Sequence, residues 1–128
     1  MIKGIHHVNL KVAGADKVKE TVSFYHDLLG LELYRSWPGR NGQNYMLKAG
    51  EDIIEIMETE SQADTGVINH FALATDKVDE VIDKIEKAGY RIDSYAKDAI
   101  LRSEPPMEIR FAFFYGPADE YVEVFEEK

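Results

Sequence analysis

The chain has 128 residues, 45% of them hydrophobic, and its 15 basic and 24 acidic side chains give a formal net charge of −9. That length suits one ordinary domain, or two half-domains sharing a core, and the apolar fraction excludes an extended disordered chain. The acidic balance leaves no electrostatic footprint for nucleic acid or an anionic membrane surface, and the lack of cysteine removes disulfides, thiolate ligands and thiol nucleophiles.

The N-terminal stretch MIKGIHHVNL lacks the apolar run of a signal peptide, and no segment is long enough to span a bilayer, so a cytoplasmic location is the expectation. IHHVNLKV, residues 5–12, reads as a strand, being short, rich in apolar and β-branched residues and close to alternating. Alternate strand residues share a face, which sets His7, Asn9 and Lys11 against Val8, Leu10 and Val12. AGADKVKETVSFYHDLLG follows as a helix with Val18, Val22, Tyr25 and Leu29 on one side, Asp16 as its cap and Gly30 as its stop. LELYRSW, residues 31–37, resumes as a strand and ends at Pro38 and Gly39; the turn-rich PGRNGQ leads into the strand NYMLKA. DIIEIME, residues 52–58, closes the first half, with Glu55 between Ile54 and Ile56 and on the same face as Ile53 and Met57.

TESQADTG, residues 59–66, is a polar linker near the midpoint, and after it the order repeats. INHFALAT, residues 68–75, carries His70 at its third position, as the first strand carries His7. DKVDEVIDKIEKAG, residues 76–89, reads as a helix with Val78, Val81, Ile82 and Ile85 on one face, capped by Asp76 and ended by Gly89. Then come the strand YRIDSYA, a loop through residues 101–106, the strand MEIRFAFFYG, a turn at residues 117–120, and YVEVFEE, residues 121–127. That last strand sets Glu123 between Val122 and Val124. A lone carboxylate on an otherwise apolar face is costly unless it is paired, protonated or bound to a metal. The economical reading is an α+β chain of two tandem βαβββ units, residues 1–60 and 66–128, forming one domain over residues 1–128 with one histidine and one glutamate per unit.

The remaining polar side chains have plainer readings. His6 is on the opposite strand face from His7, and His26 is on the helix, so both are assigned structural or solvent-facing roles. Glu58, Glu126 and Glu127 read as solvated acids. Arg35, Trp37, Arg40, Arg102 and Arg110 are open to three readings: contact with an anionic substrate, surface packing or a dimer contact. Phe111, Phe113, Phe114 and Tyr115 read as sheet core or pocket lining. A glycine-rich phosphate loop, a GxSxG elbow and an HExxH motif are all missing from the sequence.

Four motifs, HHVNLKV, FYHDLLGLEL, NHFALAT and GPADEYVEVFE, occur in order and together resemble the vicinal oxygen chelate superfamily over essentially the whole chain. That superfamily includes glyoxalase I, methylmalonyl-CoA epimerase, extradiol dioxygenases, fosfomycin-resistance enzymes and bleomycin-binding proteins. The resemblance implies a glyoxalase-like fold, in which two βαβββ units curl a mixed sheet into a cup around a divalent metal. The metal is held by one residue from the first and last strand of each unit, here His7, Glu55, His70 and Glu123. A His, Glu, His, Glu set is most similar to glyoxalase I, whereas the epimerase usually has glutamine in place of Glu55 and the bleomycin binders lack the metal.

The implied activity is a lyase or isomerase that converts the hemithioacetal of methylglyoxal and a thiol into a 2-hydroxyacyl thioester through a metal-held enediolate. Nickel or zinc is the implied ion, with cobalt, manganese or iron also suited to the donors. Glu123 is then the base and Glu55 the alternative, Asn9, Lys11 and Met57 face the substrate, and the working form is a homodimer. Where glyoxalase I enzymes hold glutathione with an arginine and an asparagine, this chain has Lys11 and Thr59, so the thiol is open. Two further readings are a metal-dependent epimerase or isomerase of another 2-oxo or acyl-thioester substrate, and a non-catalytic small-molecule binding protein.

Overall fold

Alternating strands and amphipathic helices are realised in the expected order in a computed structural model that describes residues 1–116 and 119–128. Pro117 and Ala118, in the expected turn at 117–120, lie outside the described residues. The elements are β1 (Ile2–Ala13), α1 (Ala15–Ser23) running into a π turn (Phe24–Leu28), β2 (Glu32–Pro38), β3 (Gln43–Ala49), β4 (Asp52–Thr59), β5 (Ile68–Thr75), α2 (Val78–Lys87), β6 (Ile92–Leu101), β7 (Met107–Tyr115) and β8 (Tyr121–Glu127). The fold is thus α+β with the βαβββ order twice over. No helix among the described residues is long and apolar enough to cross a membrane.

The chain divides into two compact units. The N-terminal unit comprises His7–Asn69 with Arg102–Pro105, and the C-terminal unit comprises Met1–His6, His70–Leu101 and Pro106–Lys128. In the first, strand order is β2-β3-β4-β1, with β1 parallel to β4 and the other pairs antiparallel. In the second, the order is β5-β8-β7-β6, with β5 parallel to β8 and the rest antiparallel. Each unit therefore brings its first and last strands side by side, although the whole of the unit's helix and middle strands separates them in the chain.

Each helix covers one sheet face. In the N-terminal unit Val18 of α1 is buried with Val12, Leu47 and Ile56, while Leu10, Val22, Tyr25, Leu31, Tyr45 and Ile54 pack around them. In the C-terminal unit Val78, Val81 and Ile82 of α2 are buried with Ala112, Phe114, Val122 and Val124. Burying such a side chain fully contributes about 1.5–3 kcal/mol. The apolar residues flanking Glu55 and Glu123 are thereby spent on the helix side, which leaves both glutamates on the opposite face.

Three local expectations are corrected. Leu29 does not join the apolar side of α1; it is 55% exposed. The reason is the π turn, closed by Leu29 N–H donating to the Phe24 carbonyl at 3.1 Å, which adds a residue per turn and ends the 3.6-residue spacing. Gly30 stops this segment with φ 77° and Gly89 follows α2 with φ 94°, both in the left-handed region glycine tolerates. Neither aspartate caps its helix. Gly14 holds the N-cap place of α1 and Lys77 that of α2, each without a side-chain capping bond. Asp16 lies in the first turn of α1, and Asp76 pairs with Lys3 at 3.6 Å, while the Thr75 hydroxyl accepts from Lys77 N–H at 3.0 Å. Finally, β6 runs on to Leu101, past the strand YRIDSYA expected there; residues 97–101 pair regularly with β7, but the consecutive exposed charges of Lys97 and Asp98 break the alternation that marks a strand.

Candidate functional site

In the N-terminal unit the parallel register sets Asn9 opposite Glu55 and His7 opposite Ile53. His7, Asn9 and Glu55 share the sheet face away from α1 and are 1%, 0% and 6% exposed. His7 Nε2 lies 3.3 Å from Glu55 Oε1, and Asn9 Nδ2 donates to the same oxygen at 2.7 Å. Lys11 and Met57, opposite one another in the next row of this face, are partly buried. Asn9, expected as a substrate contact, is wholly buried with its amide nitrogen on Glu55. Sequence patterning missed that tether, because the bond depends on a register between strands 46 residues apart.

The C-terminal unit repeats the geometry with different neighbours. Here Ala72 stands opposite Glu123, and His70 Nε2 lies 3.2 Å from Glu123 Oε1, the two residues being 7% and 6% exposed. The His70 ring meets Phe113 edge-on at 5.1 Å and Tyr121 at 5.9 Å, and Phe113 stacks on Tyr121 at 4.8 Å. The Tyr121 hydroxyl donates to Asp93 Oδ2 at 2.7 Å. Burial first, and then the Asp93 carboxylate, push this phenol well above its ordinary value, so Tyr121 stays neutral. Phe113 thus lines the donor face, while Phe114 faces α2 in the core. The roles of Tyr121 and Asp93 were not read from the sequence; the alternation of YVEVFEE already sets Tyr121 on the face of Glu123 and was the available signal.

His6 points away from His7, its Nε2 hydrogen-bonded to Glu127 Oε1 at 2.7 Å and its ring 4.2 Å from that of Phe125. Glu127 is therefore a paired acid rather than a solvated one. His26 Nδ1 bonds the Leu31 carbonyl at 2.7 Å, tying the π turn to the chain that follows it. Arg110 is committed to Asp79 at 2.8 Å and Asp98 at 3.1 Å. Arg35 lies over the Tyr34 ring and donates to the Tyr34 carbonyl at 2.9 Å, Trp37 is buried, and Arg40 and Arg102 are exposed.

A buried imidazole facing a buried carboxylate contributes little to stability once desolvation is counted, but it suits a divalent cation. Each pair offers one nitrogen and one oxygen donor, types that suit a borderline or harder divalent ion. The duplicated βαβββ plan with a His–Glu pair on the paired first and last strands of each unit defines the class of protein. The model of the Glyoxalase/Bleomycin resistance protein/Dioxygenase superfamily matches residues 4–101, and the chain belongs to that superfamily.

Solved structures agree on the fold. A hypothetical protein from Bacillus halodurans superposes with a TM-score of 0.70 at 20% identity, covering 97% of this chain and 94% of its own. A superfamily member from Vibrio splendidus gives 0.66 at 12% identity over the full length of both chains. The Mn(II)-bound glyoxalase from Novosphingobium aromaticivorans gives 0.65 at 26% identity, covering 98% of this chain and 39% of that one. A comparison with the sequences of curated proteins gives no match.

Proposed function

We propose that this protein is a metal-dependent glyoxalase-like lyase or isomerase, with His7, Glu55, His70 and Glu123 as its metal-ligating residues, whether within one chain or across a dimer. Nickel and zinc are the first candidates, with cobalt, manganese and iron behind them. The observation that carries the reading is the duplication: a buried imidazole within 3.3 Å of a buried carboxylate in one unit, and within 3.2 Å in the other. When bound, the ion supplies Lewis acidity towards two neighbouring substrate oxygens.

The side chains do the rest. Glu123 takes the proton from the thiol-bearing carbon of a hemithioacetal, formed from methylglyoxal and a thiol, and returns it to the adjacent carbon. One C–H bond breaks and another forms next to it while the hydroxyl proton passes between the two oxygens. The product is a 2-hydroxyacyl thioester, and no external oxidant or reductant is consumed. Lys11 and Met57 contact the substrate, and Phe113 and Tyr121 hold the His70 ring edge-on. A homodimer is the expected working form. Lys11 and Thr59 favour a second reading of the substrate alone, since lysine lacks the planar fork with which arginine grips a carboxylate. That reading keeps the site and replaces the hemithioacetal with another 2-oxo compound or acyl thioester.

The test is elemental analysis of the purified protein, followed by turnover of methylglyoxal with glutathione after nickel or zinc loading. Near one ion per chain with turnover is the expected result. Metal without turnover transfers the reading to the second substrate class, and no metal even after loading overturns it.

A further inference from the structure

We infer that Asn9 is a positioning residue that fixes the Glu55 carboxylate. The inference rests on the four-ligand reading above. In both units the residue two places after the histidine stands opposite the glutamate across the parallel strand pair, Asn9 opposite Glu55 and Ala72 opposite Glu123. The backbone place is the same and the side chains are not. Asn9 reaches Glu55 Oε1 with its amide at 2.7 Å, whereas the methyl group of Ala72 has no hydrogen to donate.

Asn9 also carries a penalty. It is wholly buried, and its Oδ1 has no hydrogen-bond partner among the described residues. An apolar side chain of similar size would remove that orphaned acceptor, but it would also take from the buried Glu55 carboxylate the donor it has at 2.7 Å. What the asparagine adds is a hydrogen bond to a carboxylate, the stronger charge-assisted kind, which holds the oxygen in one orientation. Hydrogen-bonded partners behind metal-ligating side chains act in this way. Glu55 is therefore held as a stationary donor. Position 72 offers Glu123 no such bond, because the alanine side chain carries no donor.

Cobalt(II) titration of the whole protein, read by its visible absorption and by competition with a chelator, tests this without relying on turnover. Asn9→Leu should fold, yet bind cobalt about 10- to 100-fold more weakly with an altered spectrum. If that variant does not fold, Asn9→Ala is judged by the same criterion. Unchanged affinity and spectrum in the Asn9 variant overturn the inference and leave the proposed function standing. Failure of the wild-type protein to bind cobalt overturns the four-ligand reading itself.

Discussion

In the N-terminal unit the glutamate is approached by an amide, whereas in the C-terminal unit the histidine is approached by rings. The imidazole-to-carboxylate distances are nonetheless almost the same, 3.3 Å and 3.2 Å. Parallel pairing of the first and last strands sets the separation of the donors, and it is repeated because the strand register is repeated. The neighbours are free to differ because they come from other positions: Asn9 from β1 itself, Phe113 from β7, and Tyr121 from the start of β8. One half is thus a polar setting for a carboxylate and the other an aromatic setting for an imidazole.

The largest effect that separates the halves is expected from Glu123→Gln. If the C-terminal carboxylate carries the proton, kcat falls by about 100- to 10,000-fold with an unchanged circular dichroism spectrum. Full activity in that variant would remove Glu123 from its role. Next comes His70→Ala, which should weaken metal binding by at least about tenfold, given that losing even an outer partner costs that much. Unchanged stoichiometric metal in that variant, measured by elemental analysis, would sink the four-ligand arrangement.

Phe113→Leu sharpens the contrast, since it removes the stack on Tyr121 and the edge contact to His70 while leaving the N-terminal unit untouched. A loss of about 0.5–1.5 kcal/mol in urea unfolding is expected from the aromatic pairing. The smallest effect lies outside both sites. Hydrogen bonding to Arg110 holds the Asp79 and Asp98 carboxyls below their ordinary value of 3.8. Folded values depressed in this way stabilise the protein above that pH, and the benefit disappears as the pH falls through them. Arg110→Met should therefore lower the urea midpoint slightly at neutral pH, and the gap from wild type should close in acid.

Strand alternation made the donor set legible. β5 and β8 begin and end where their apolar patterns do, and the faces of His7, Glu55, His70 and Glu123 follow from a period of two. What stayed hidden depended on geometry that a linear pattern does not carry. The π turn inserts a residue without changing composition, so Leu29 sits at a helical spacing that the backbone does not keep. The end of β6 is disguised by two adjacent exposed charges, Lys97 and Asp98, which interrupt the alternation. The Asn9–Glu55 and His6–Glu127 bonds each join strands remote in sequence, and only the register reveals them.

Parallel closure also has a kinetic consequence. The β2–β3, β3–β4 and β7–β8 pairs are antiparallel neighbours in the chain and close over short loops. The donor pairs instead wait on contacts spanning 46 residues between Asn9 and Glu55 and 53 between His70 and Glu123. Closing such long loops costs entropy before any contact repays it, so these are the slow events of folding. The glutamates and histidines therefore meet after the hairpins and helices have formed, and stabilising them acts mainly by slowing unfolding. A cation captured there would guard the finished protein rather than guide its assembly.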